Sequence, residues 1–308
     1  MAGTRKTAVA VVLAALALTA TACNGNDDEK AAPAAPTTAA GTTATPSAAA
    51  PTGGAKPEKV SPAVYLEQVT QKTGAAKSAK VNESITIGDL AMTGTGAISW
   101  ADGLQGDLTM DMSDSPMGKM IAVLTGSGSA PYRFAKDGMY LHLGGDGVEA
   151  LGGKHWVHFS AADLAKTSGG STNQFKDADP VEAVRLLIAT GKVAEVGQET
   201  VDGRATTHYS GVLDADEIAG ASAAKGLSQE KLDQLKQKLA AGGITSEQID
   251  VWVDADQLVV KRTETGATKA GRFKASVLYS DYGTAVDTTA PAAADVVEVA
   301  DLAKLGNS

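Results

Sequence analysis

The sequence has little of several things. It holds one cysteine, four histidines and only 4% aromatic residues in 308 positions. A single cysteine excludes a disulfide framework and any Cys₄ or Cys₂His₂ structural zinc site. Four histidines leave little material for metal binding or imidazole catalysis. Basic residues are also outnumbered, with 27 Lys and Arg against 36 Asp and Glu, a formal charge of −9. Binding nucleic acid needs grouped Lys and Arg to neutralise phosphates, and no such cluster is present, so that partner is excluded. There is no Gly-x-Ser-x-Gly elbow to expose a nucleophile, and no glycine loop of phosphate-binding spacing precedes a helix. No catalytic residue, metal ligand or cofactor is assigned, and the chain is read as a non-enzyme.

Long hydrophobic runs are missing as well. The apolar run 8–18 is well short of the ~20 residues that a membrane-spanning helix needs. It follows Arg5 and Lys6 and ends in small residues, the pattern of a secretory signal. The string Leu18-Thr19-Ala20-Thr21-Ala22-Cys23 resembles a bacterial lipobox, in which the peptidase cuts before a cysteine that carries diacylglycerol. Ala20 stands where that motif usually has leucine. The sole cysteine lies at the cut site, and a free exported thiol is a liability, so lipidation is favoured over an incidental cysteine. Residues 1–22 are then a leader, and Cys23 anchors the mature chain to the extracytoplasmic face of the cell membrane. Residues 24–57 are rich in Ala, Pro and Thr. Their hydrophobic bulk is too small to offset the entropy of ordering, so 23–57 reads as a disordered tether spanning about 30–35 Å as a coil.

Residues 58–308 read as one domain. Ser61-Pro62 starts a helix, lined on one face by Ala63, Leu66, Val69 and Thr73 and expected to stop at Gly74. Period-two alternation follows: Leu90, Met92, Ile98 and Trp100 oppose Ala91, Thr93, Thr95 and Ser99, and the chain turns at Asp102-Gly103. Similar hairpins are expected around Asp137-Gly138, Asp202-Gly203 and the Asp254–Gln257 turn. Asp179-Pro180-Val181-Glu182 reads as a capping box, and Ser228 caps a helix that ends at Gly242-Gly243. The expected fold is mainly β with α: about eleven strands in a single curved antiparallel sheet, with helices across one face.

Several strings carry a family resemblance. They are Asp179-Pro-Val-Glu-Ala-Val-Arg-Leu-Leu, Val196-Gly-Gln-Glu-Thr-Val-Asp-Gly with Thr207-His-Tyr-Ser-Gly, and Val251-Trp-Val-Asp with Leu258-Val-Val-Lys-Arg. Together with the cysteine and tether they resemble the LppX/LprAFG lipoproteins of actinobacteria across roughly Pro62 to Tyr282. That resemblance implies a LolA/LolB-like half-barrel, a curved sheet with helices over its concave side around an apolar cavity for acyl chains. It also implies a non-enzymatic protein that binds a lipid or lipoglycan and shuttles or presents it in the cell envelope. Candidate cavity residues on strands are Met92, Ile98, Trp100, Leu108, Met110, Met112, Phe134, Leu141, Val251 and Val253. Leu124, Val184, Leu187 and Leu235 are the remaining four.

The residues themselves leave two readings open. Inward glycines (Gly94, Gly96, Gly106) either leave volume unfilled or only bend the sheet. Methionines 92, 110, 112, 117 and 120 suit an adaptable ligand surface or a plain core. The alternative function is a non-catalytic module that binds a protein partner or signals and carries no lipid. The histidines at 155 and 158 are expected to be exposed polar residues, and His208 shows no acidic companion. The expected partners are a lipid ligand and the membrane through the anchor, and the chain is expected to be monomeric. Replacing Cys23 with alanine is expected to release the protein into the medium; an unchanged membrane fraction on cell fractionation would refute the anchor.

Overall fold

The computed structural model describes residues 60–115, 118–167, 178–220, 224 and 226–302. The leader, Cys23 and the tether therefore lie outside the described residues, as does Met117. Twelve strands form one sheet: β1 (Ser78–Ile87), β2 (Leu90–Ser99), β3 (Gln105–Asp111), β4 (Ser129–Ala135), β5 (Gly138–His142), β6 (Trp156–Ser160), β7 (Ala194–Val201), β8 (Arg204–Asp214), β9 (Ser246–Asp254), β10 (Val259–Thr268), β11 (Gly271–Ser280) and β12 (Val296–Glu298). Their order is β12-β6-β5-β4-β3-β2-β1-β11-β10-β9-β8-β7. Two antiparallel meanders, β1 to β6 and β7 to β11, join where β1 pairs with β11. The sheet is open, with β7 and β12 at its edges.

Among the described residues the single sheet holds twelve strands against about eleven expected, and it departs from the antiparallel expectation at one strand: β12 runs parallel to β6, so the sheet is mixed. Three residues of β12 are too few to express an alternating pattern. Tertiary contacts hold it in place: the backbone N–H of His155 donates to Asp295 at 2.9 Å, and Lys154 Nζ donates to the Val296 carbonyl at 2.9 Å. Between β11 and β12 the chain lies as an extended strap. Tyr282, Thr284, Val286 and Thr288 are half-buried and alternate with exposed neighbours. Arg133 holds the strap by donating to the Thr289 carbonyl at 3.0 Å and pairing with Asp287 at 3.2 Å.

The turns follow their chemistry. Asp202 and Gly203 both take positive φ (50° and 73°), the geometry of a two-residue hairpin between twisted strands. At the β9–β10 turn Asp254 Oδ1 accepts from the backbone N–H groups of Asp256 and Leu258 at 3.0 and 2.9 Å.

Seven α-helices are present among the described residues: α1 (Pro62–Ala76), α2 (Gly118–Thr125), α3 (Gly145–Ala150), α4 (Ala161–Thr167), α5 (Pro180–Ala189), α6 (Ala215–Gly220) and α7 (Gln229–Gly242). The shortest of them span fewer than two turns, too few to show a helical period. The first helix passes through Gly74 and ends at Lys77, which takes the left-handed conformation. At α5, Asp179 accepts from the Val181 N–H at 2.8 Å, whereas Glu182 does not close the capping box but pairs with Arg185 at 3.1 Å. Ser228 caps α7, and Gly243 closes it with φ 64°. None of the described helices is long and apolar enough to cross a membrane.

All these helices sit on one apolar cluster. Leu66 and Val69 of α1, Val184 and Leu187 of α5, and Leu232 and Leu239 of α7 are buried with the inner residues of the sheet. Each such side chain contributes about 1.5–3 kcal/mol. Strands β2 and β3 approach closely because Gly94, Gly96 and Gly106 stand opposite Met110, Leu108 and Ile98 across the pair. A Cβ on Gly96 would overlap the carbonyl oxygen of Asp107. Gly96→Ala is expected to lower stability by about 3 kcal/mol in urea unfolding. Gly220→Ala, at the end of α6 where an added Cβ meets nothing within 4 Å, is expected to be neutral or slightly stabilising.

Candidate functional site

The register fixes which side chains meet on the inner face. Across β2, β1 and β11, Gly96 lies opposite Val81, and Val81 opposite Tyr279. Across β3, β4 and β5, Leu108 pairs with Tyr132 and Tyr132 with Leu141. Because side chains alternate, whole rows of apolar residues turn toward the helices together.

The structure gathers all fourteen candidate residues on this layer. Ile98, Leu108, Met110, Met112, Leu124, Phe134, Leu141, Val184, Leu187, Leu235, Val251 and Val253 belong to one buried cluster, and Met92 and Trp100 pack against it half-buried. Most of the twelve are under 4% exposed, so they pack against one another. The space beside the inward glycines is occupied too. Met110 lies over Gly94, Leu108 over Gly96 and Ile98 over Gly106. These glycines therefore serve close approach of neighbouring chains, not unfilled volume.

Reading the sequence missed a charged group inside this layer. Arg262 and Glu264 of β10, Glu247 of β9 and Glu83 of β1 are between 2% and 4% exposed. Glu83 and Glu247 follow the regular alternation of β1 and β9, whereas a bulge between Val259 and Lys261 puts Arg262 and Glu264 there. Val259 and Val260 are both buried, the alternation resets, and Arg262 and Glu264 turn inward. Simple alternation cannot reveal that reset. Arg262 and Glu264 form an ion pair. Burial alone raises the Glu264 carboxyl, but Arg262, Lys238 of α7 and hydrogen bonding to Glu247 outweigh it and hold it below its usual range. Nearby, burial raises Asp179 at the start of α5.

A second polar group lies on the outer face. His208 Nδ1 meets Glu199 at 3.0 Å, its Nε2 meets Asp250 at 2.8 Å, and its ring stacks on Trp252 at 4.2 Å. The expectation of no acidic companion is thus corrected: two carboxylates converge here from β7 and β9. They also occupy both ring nitrogens, leaving none for Ser210, which accepts from Gln248 at 2.9 Å instead. The Trp252 indole N–H donates to Glu199 at 2.9 Å, the first of the influences that lower that carboxyl. Of the two histidines expected to be exposed, His155 is, and His158 is not. His158 is 9% exposed and stacks on Tyr140 while meeting Glu298 at 2.8 Å; His155 meets Asp295 at 2.8 Å. His142 instead packs its ring against His155 and Trp156. Among the described residues no three His, Cys, Asp or Glu side chains converge as a metal site.

Comparison with known proteins places the chain among streptomycete relatives. It is 42% identical over 256 residues to an uncharacterized 31.2 kDa protein from the rplA–rplJ intergenic region of Streptomyces griseus, covering 81% of this chain and 83% of that one. It is 32% identical over 307 residues to a putative lipoprotein of Streptomyces coelicolor, covering 97% and 96%. No protein-family model matches. Similar solved structures include the lipoprotein LppX of Mycobacterium tuberculosis, at 15% identity and TM-score 0.43 over 74% of this chain and all of that one. LprF of Mycobacterium bovis is similar at 17% identity and TM-score 0.42, over 74% and 97%.

The buried ion pair gives a pH-dependent expectation. The folded-state pKa of Glu264 is depressed, so its contribution is present at neutral pH and is lost as pH falls below the ordinary glutamate value of 4.5. Glu264→Gln is expected to cost about 3 kcal/mol at neutral pH, because it removes the carboxylate paired with the buried Arg262. It is also expected to flatten part of the acid-side fall in stability, measured by urea unfolding across that range.

Proposed function

The chain belongs to the same family as these two Streptomyces proteins, one of them a putative lipoprotein, and from that premise we propose that it is a lipid-anchored envelope protein that takes an acyl chain between its sheet and its helices. In this reading residues 1–22 are the leader, Cys23 carries the anchor, 23–57 are the tether, and 58–308 form the container on the outer face of the membrane. The observation that carries it is the continuity of the apolar layer from Leu66 and Val69 on α1 to Val297 on β12, covered by separate helices. The described state is the closed form. Cargo enters as helices lift from the sheet, and the unbranched side chains of Met92, Met110 and Met112 rearrange around it.

The energetics need no catalytic group. Removing a 16-carbon chain from water is worth on the order of 12 kcal/mol at ~0.8 kcal/mol per CH₂. A bilayer offers almost the same environment, so exchange between membrane and protein is close to neutral and reversible.

One observation favours the alternative, a non-catalytic module that binds a protein partner: the interior residues already fill their own space. Native mass spectrometry of the full chain purified from a membrane-expressing host decides between them. Lipid near one-to-one stoichiometry is the expected result. A chain consistently free of lipid overturns the container reading and leaves the partner module.

A further inference from the structure

Where α1 hands over to β1, a cleft of about 330 Å³ opens between the end of the sheet and the strap. Lys77 stands at the α1–β1 junction, Ser99, Asp102 and Gln105 around the β2–β3 turn, and Lys136 at the β4–β5 turn, with Thr284 of the strap opposite. We infer that this cleft binds a phosphate group, either free or carried by a lipid headgroup. It lies outside the apolar layer, and the inference does not rest on the acyl-chain reading.

The charge balance is the first reason. In a chain of net charge −9, two ammonium groups face one carboxylate here. Asp102 is already paired with Lys136, but that pair is exposed and weakly held, so the ammonium can engage a second anion. Lys77 adds a further positive charge.

The second reason is that the walls are fixed in advance. The Trp100 N–H and the Ser99 hydroxyl donate to the Lys77 carbonyl at 2.9 and 3.1 Å. The Ser78 hydroxyl donates to the Thr284 carbonyl at 2.6 Å, and Gln105 Nε2 to the Asp102 carbonyl at 3.0 Å. These bonds tie helix end, turn and strap together, so the walls of the cleft are in place before a ligand arrives.

The third reason is a reversal in the sequence. Lys77 takes φ 66°, a left-handed conformation that strains any residue with a Cβ and that helix ends usually give to glycine. Three residues earlier Gly74 sits inside the helix, where an added Cβ meets only Val181, at an ordinary 3.8 Å. Stability alone favours the opposite arrangement. What the lysine adds at 77 is an ammonium beside the cleft. The volume lies at the small end of ligand pockets, roughly 300–1,000 Å³, which suits a headgroup and not an acyl chain.

Calorimetric titration of the full chain in a non-ionic detergent tests this with inorganic phosphate, glycerol 3-phosphate and dihexanoyl phosphatidylglycerol. Saturable binding of at least one probe is expected, weakened about tenfold by Lys77→Gly and by Lys136→Gln. Lys77→Gly is also expected to keep or raise the melting temperature, which separates lost binding from lost folding. Tighter binding of the two glycerol phosphates identifies a headgroup, and equal affinities identify free phosphate. No saturation with any probe, or unchanged binding by the Lys77→Gly chain, overturns the site. A chain without acyl cargo that still binds phosphate leaves this inference standing; cargo without phosphate binding leaves only the container.

Discussion

A sheet with one apolar face needs cover, and that need organises this molecule. Twelve strands turn their valines, leucines and aromatics to one side. Separate helices, none among the described residues longer than the 15 residues of α1, supply the cover. The hydrophobic free energy is large and non-directional, at about 25 cal/mol per Å² removed from water. It fixes that the helices pack on the sheet, but not that they do so permanently. A second apolar surface, such as an acyl chain, can take their place on the same rows of side chains.

Two devices give this adaptable layer a definite form. The bulge in β10 brings Arg262 and Glu264 inside, where Glu83 and Glu247 are buried too and Lys238 of α7 acts on Glu264. Buried charges must keep their partners, so this group restrains how the cover sits over β9 and β10. At the far edge, β12 pairs with β6, and the contacts of Asp295 with His155 and of Glu298 with His158 hold the strap there. The flank of β6 is thereby covered, and the edge left open is the three-residue β12, too short to template much strand pairing.

Local signals carried much of this into the sequence. Asp202-Gly203 turns because both residues accept positive φ, and Asp179 and Ser228 cap their helices because short side chains reach the backbone N–H groups. All fourteen candidate residues reach one layer because strand alternation and helical spacing survive folding. Non-local features were not legible. The Arg262 cluster depends on a one-residue register reset, the two carboxylates on His208 arrive from β7 and β9, and β12 exists only because β6 is there to receive it. Whether glycines such as Gly96 leave space or allow close approach is likewise decided by the neighbouring strand, where Leu108 lies over it.

The central claim is that the helices can leave the sheet while the sheet stays folded. Hydrogen exchange of backbone amides measures this directly, because local openings and global unfolding expose different amides. The account predicts that α1, α5 and α7 exchange through openings that leave β1, β10 and β11 protected, and that a single-chain lysolipid changes exchange in the helices but not in those strands. Helices and strands exchanging together by global unfolding, indifferent to the lysolipid, would contradict it.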